Sequence, residues 1–116
     1  MSELAIRQKI EDMMVYAYQA IQQMPKSEKF SLGADIRISM INLLKLVIRC
    51  NKRFTKKTTM QDLDIELDTL RGLVRTAHNL EMIPFKKYAI WSEKLDEIGR
   101  MIGGWFKSIQ YNRATC

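Results

Sequence analysis

The chain has 116 residues, 47% hydrophobic and 28% charged, with only two prolines and five glycines, which is one domain's length with enough apolar surface for a core without disulfide or metal staples. The net charge of +6 favours polyanionic partners, while the lack of any run of 18 apolar residues, and of a cationic-then-apolar start at Ser2 to Arg7, argues against a membrane span and a secretory leader. Cys50 and Cys116 form no CxxC pair and the single His78 has no ligand at metal spacing, so a disulfide framework, a structural zinc and any cofactor are not expected, and a soluble, cytoplasmic protein is.

In chain order, the first helix is expected over residues 2–24. Ile6, Ile10, Met13, Ala17, Ile21 and Met24 recur at steps of three and four and make one apolar stripe. Ser2 can cap its start, and Pro25 ends it, because proline lacks an N–H and disfavours helix at the residue before it. Residues 26–33 read as a polar connection with one buried-type side chain, Phe30. The second helix is expected over 34–54, with Ile36, Met40, Leu43, Val47 and Phe54 on its inner face. A polar loop follows at 51–58.

The third helix is expected over 60–80. Thr58-x-x-Gln61 reads as a capping box, Asp62 and Asp64 suit the positive end of the helix dipole, and Leu63, Leu67, Leu70, Val74 and Ala77 form the stripe. The fourth is expected over 84–109, with Pro84 at the first helical position and Trp91, Leu95, Ile98, Ile102, Trp105 and Ile109 inward. The tail 110–116 is polar and expected to fray. Four such helices joined by short loops imply a single domain, 1–116, folded as an all-α, antiparallel, up-down-up-down four-helix bundle.

Charge is uneven along the chain. Residues 25–57 hold nine basic and two acidic side chains. At about 100° per residue, Lys45, Arg49, Lys52, Arg53 and Lys56 fall on one face, opposite the apolar stripe and with no carboxylate among them. Like charges at i,i+4 are mutually destabilising, and an anionic partner offsets that cost. The competing reading is a solvated face that keeps the protein soluble. Arg71 and Arg75 form a second cluster on the third helix, where Asp64 and Asp68 lie at ion-pairing distance in sequence; spacing alone favours intrahelical salt bridges there. Ile38 and Ile41 point outward, Tyr16 and Tyr18 flank the first stripe, and Gly99 and Gly103 sit one turn apart. The glycines fit close packing inside the bundle or a subunit interface.

No catalytic constellation is present: no GxxxxGK[ST], HExxH, GxSxG or GxGxxG. One histidine cannot supply the paired Glu-x-x-His motifs of a di-iron bundle. Asp96 and Glu97 are adjacent in a helix and diverge by about 100°, and Cys50 reads as a small buried hydrophobe. An enzyme is therefore not expected.

Three segments carry a resemblance: K-S-E-K-F-S-L-G-A-D-I-R (Lys26 to Arg37), L-R-G-L-V-R (Leu70 to Arg75) and E-I-G-R-M-I-G-G-W-F (Glu97 to Phe106). Together they resemble the accessory variability determinant (Avd) proteins of bacterial and phage diversity-generating retroelements, and the related intervening-sequence proteins encoded within some bacterial ribosomal RNA genes. The resemblance covers most of the chain, and its last segment is the most specific. It implies a four-helix bundle assembled into a barrel-like homopentamer, binding RNA and DNA with little sequence preference. It also implies a non-catalytic partner of the retroelement's reverse transcriptase that supports mutagenic retrohoming. In that picture Arg71 and Arg75 become contacts for nucleic acid or polymerase. The candidate nucleic-acid-binding set is then Arg37, Lys45, Arg49, Lys52, Arg53, Lys56, Lys57, Arg71 and Arg75. The basic second helix and the arginine pair favour Avd over the alternative, an intervening-sequence-type helical scaffold or a general RNA-binding protein. The Ile83-Pro84 lead into the fourth helix departs from the Ser or Thr cap that relatives often carry there.

Overall fold

The computed structural model describes residues 3–53 and 56–115, with residues 110–115 as backbone only. Its elements in order are α1 (Glu3–Gln22), α2 (Lys26–Lys29), α3 (Leu32–Lys52), α4 (Lys57–Asn79) and α5 (Phe85–Thr115). No strand occurs among the described residues. The four long helices are the expected all-α bundle; Ser2 and Phe54 lie outside the described residues.

Neighbours along the chain are neighbours in space. α1 packs on α3 and α5, and α4 packs on α3 and α5, so the helices occupy the corners of a square in chain order. The register is antiparallel: Lys9 Nζ lies 3.2 Å from Glu97 Oε1, and the Tyr16 hydroxyl donates to the Lys87 carbonyl at 3.5 Å. One end of the bundle therefore holds α2, the start of α3 and the α4–α5 turn. The other holds the α3–α4 connection and the last turns of α5.

The predicted stripes meet in one core. Ile6, Ile10, Met13, Ile36, Met40, Leu43, Leu63, Leu70, Trp91, Leu95 and Ile98 are all essentially inaccessible, and burying each is worth about 1.5–3 kcal/mol. A polar bond joins two helices at the edge of the core: buried Ser39 of α3 donates to Glu66 Oε2 of α4 at 2.7 Å. The indole N–H of fully buried Trp91 has no partner.

Four local expectations differ. The connection after Pro25 folds as the short helix α2, and Phe30, expected inward, is 73% exposed at its end. Helix α3 begins at Leu32 rather than 34, because buried Gly33 lets its first turn pack against α1; a Cβ there would sit 3.0 Å from Ile21 Cγ2 and 3.1 Å from the Glu28 carbonyl. Helix α4 begins at Lys57, one residue before the proposed capping box, so Thr58 is already helical and no side chain caps the start. Helix α5 starts at Phe85, one residue after Pro84, and continues to Thr115 through the segment read as a frayed tail.

The α4–α5 turn explains that sharp restart. Met82 N–H donates to the Ala77 carbonyl and Glu81 N–H to the His78 carbonyl, each at 2.9 Å. This is the paired closure of a Schellman motif. Its left-handed position is taken by Glu81 (φ 63°) rather than glycine.

Candidate nucleic-acid interface

Helix α3 builds the basic surface because its polar residues fall opposite its core stripe. Lys45, Arg49, Lys52 and Arg53 line one shallow surface together with Ile48. All four basic side chains are exposed, and none forms an ion pair among the described residues. Lys57 is exposed at the first position of α4, at the same end of the bundle. Positive potential is therefore concentrated at the C-terminal end of α3, where water and phosphate have free access.

Lys56 does not join that surface. Its ammonium turns back over the end of α3 and donates to the carbonyls of Cys50 (2.7 Å), Asn51 (3.1 Å) and Arg53 (2.8 Å). Those are orphan acceptors at a helix C-terminus, the negative end of its dipole. Beneath it, burial pushes the Cys50 thiol above its ordinary pKa, an effect only partly opposed by the Lys56 charge. Cys50 is fully buried, as the sequence suggested, and is held as a thiol.

Arg37 stands apart as well. It lies near the opposite end of α3, half-buried, with Nη2 donating to the Lys29 carbonyl at 3.0 Å. It ties α2 to α3.

Arg71 and Arg75 lie on the seam between α4 and α5, away from the outer face of α3. Spacing suggested pairing with Asp64 and Asp68; the guanidinium of Arg71 instead crosses to α5. There Nη2 lies 3.4 Å from the Leu95 carbonyl and 3.7 Å from Asp96 Oδ1. Its Nε is shielded from water and unpartnered. The crossing needs Gly99: any Cβ at that position would collide with Arg71 Nη2. Gly99 thus serves close packing inside the bundle, whereas nothing lies within 4 Å of a Cβ at Gly103. Arg75 remains exposed and shares a groove with Arg71, Tyr88, Ser92, Leu95 and Asp96. On the other side of Arg71 the groove is lined by Asp64, Asp68, Asp96 and Arg100, so the carboxylates largely offset its positive charge.

Sequence reasoning missed the Arg71–Gly99 crossing and the placement of Arg100. The only signal for either was a glycine followed by an arginine in Glu97 to Phe106. From the sequence, His78 near the end of the third helix reads as a favourable dipole partner or a polar surface residue. That ring stacks on Tyr88, with centroids 4.4 Å apart and planes 2° from parallel, and its Nδ1 lies 3.1 Å from the Ile83 carbonyl. It closes the α4–α5 turn.

No group of three or more His, Cys, Asp or Glu side chains able to hold a metal occurs among the described residues. No described helix is long and apolar enough to cross a membrane. In comparisons with known proteins, no curated protein matches the chain, but a family model described as bAvd-like matches residues 4–109.

Proposed function

The chain belongs to the bAvd-like family, and from that premise we propose that it is the nucleic-acid-binding accessory protein of a diversity-generating retroelement. The family is an accessory, non-catalytic one whose membership points to a role in such elements. The finer reading is that this chain binds RNA and DNA through the C-terminal end of α3 and associates with the element's reverse transcriptase. It works as a homo-oligomer, a homopentamer by resemblance. Binding proceeds by phosphate neutralisation with counterion release, and with no base-reading element its sequence preference is low. The α4–α5 groove, with Arg75 exposed and Arg71 anchored beside it, is the second contact, for nucleic acid or polymerase.

The observation that carries this reading is the one shallow surface of Lys45, Arg49, Lys52 and Arg53 with no carboxylate lining it. The test replaces Arg49, Lys52, Arg53 and Lys57 together by glutamine. Fluorescence anisotropy on a short single-stranded RNA then shows a roughly tenfold or greater loss of affinity, with the helical circular dichroism unchanged. Equal affinity in the variant and the parent removes α3 from the site.

A further inference from the structure

The end of the bundle farthest from the basic tip of α3 leaves two phenylalanine rings in solvent. Phe30, between α2 and α3, is 73% exposed, and Phe85, the first residue of α5, is 70% exposed. Both stand on turns that are firmly held. Arg37 Nη2 donates to the carbonyl of Lys29, the residue before Phe30, at 3.0 Å, and the hydroxyl of Ser31, the residue after it, donates to Glu28 Oε2 at 3.0 Å. Phe85 follows the Schellman turn, and its ring centroid lies 5.8 Å from that of His78, which is itself stacked on Tyr88. A single exposed apolar side chain needs no explanation. Two aromatic rings at one end, each on a hydrogen-bonded turn, lose little freedom when a flat partner lands on them.

Lysines accompany each ring. Lys26 and Lys29 precede Phe30, and Lys86 and Lys87 follow Phe85 directly. None of the four forms an ion pair among the described residues. Glu28, Asp35 and Glu81 lie at the same end, so charge alone attracts a polyanion far less there than at the tip of α3. Helices α3 and α5 start at opposite corners of the square, and α4 ends at the corner between them, where Leu80 is 57% exposed. Neighbouring helices 8–10 Å apart put those opposite corners roughly 13 Å from each other. That is a span of about four nucleotides of a stacked strand.

We propose that this end is a stacking platform for the unpaired bases of a single-stranded nucleic acid. Phe30 and Phe85 take bases several nucleotides apart, Leu80 lines the path between them, and the lysines beside each ring meet the intervening phosphates. A ring with a cation beside it holds a single strand without sequence preference, because every base has a π-face and a phosphate next to it. A duplex keeps its bases stacked inside and offers a ring only its terminal pairs. The platform therefore selects unpaired over paired strands, which a surface that meets phosphates alone does not. The three carboxylates oppose a flat anionic bilayer, which would press on all of them at once; a single strand is narrow enough to follow the lysines.

The platform rests on the reading that the chain binds nucleic acid, and one pair of probes separates the two. Fluorescence anisotropy on the full chain compares a single-stranded RNA of about eight nucleotides with an abasic strand of the same length, which keeps every phosphate and has nothing to stack. The parent binds the base-bearing strand roughly tenfold more tightly. F30A/F85A, which alters two exposed rings and leaves the circular dichroism unchanged, binds both strands alike, at the parent's affinity for the abasic one. F30W/F85W restores the preference. A parent that binds both strands equally overturns stacking while phosphate binding at α3 stands; a parent that binds neither overturns the nucleic-acid reading and the platform with it. A base preference that survives F30A/F85A overturns its placement at this end. Vesicles of phosphatidylserine and phosphatidylcholine that sediment the parent but not F30A/F85A, with RNA affinity the same for both proteins, overturn it in favour of a lipid surface.

Discussion

Arg71 illustrates how one side chain's position is decided by the absence of another. Its guanidinium is half-buried, its Nε lacks a partner, and only two long contacts to Leu95 and Asp96 compensate. Leaving a buried donor unmet costs about 1–3 kcal/mol, so the crossing persists because Gly99 opens a channel for it. Glycine in a helix interior is itself about 1 kcal/mol worse than alanine. Gly103, one turn later, has the same intrinsic cost and no neighbour. Gly103→Ala should therefore stabilise the protein by about 0.5–1 kcal/mol, read by urea denaturation. Gly99→Ala should yield no such gain, because the methyl group evicts Arg71. Equal gains at both positions would show that Arg71 does not depend on the channel.

At the scale of elements, the end of α3 concentrates positive charge where the helix dipole already favours it, and Lys56 caps the last carbonyls. Lys56→Met keeps the apolar stem and removes three donated bonds. The expected loss, discounted for a half-exposed site, is about 1 kcal/mol, with RNA affinity changed far less than by Arg53→Gln. A Lys56→Met variant of full thermal stability and weakened RNA binding would return Lys56 to the phosphate-contacting set. Spacing on a helical wheel could not distinguish Lys56 from Lys52, because Lys56 lies past the helix end, where angular periodicity no longer describes direction. The long helices were legible because stripes such as Leu63 to Ala77 repeat through several turns, and each repeat reinforces the last. Helix α2 is a single turn, with no repeat to read. The start of α4 misled because a Thr-x-x-Gln pattern also fits inside a helix, and what fixes the true start is packing: Thr59 and Met60 are already buried. The basic stretch of the candidate site was legible from composition, whereas its division into exposed, capping and helix-bridging residues depends on tertiary neighbours.

At the scale of the whole molecule, the bundle is 52 Å long and about 20 Å across, and its 31-residue α5 spans about 46 Å. One basic end per chain is a small target for a polyanion: five exposed groups, Lys45, Arg49, Lys52, Arg53 and Lys57, displace at most about five counterions. On single-stranded RNA that corresponds to a salt slope of about −3.5 in log affinity against log salt. If the chain works as a homo-oligomer, these clusters recur within one assembly, and a strand long enough to reach two of them engages both. The slope then steepens well beyond about −3.5, and affinity rises by the effective concentration of the second cluster. The measurement compares a short RNA that reaches one cluster with one long enough to span neighbouring clusters, across a range of potassium chloride. The longer RNA should show the steeper slope and the tighter binding. Identical slopes on the two RNAs would mean that each strand meets one chain at a time, and that assembly contributes nothing to how this surface holds nucleic acid.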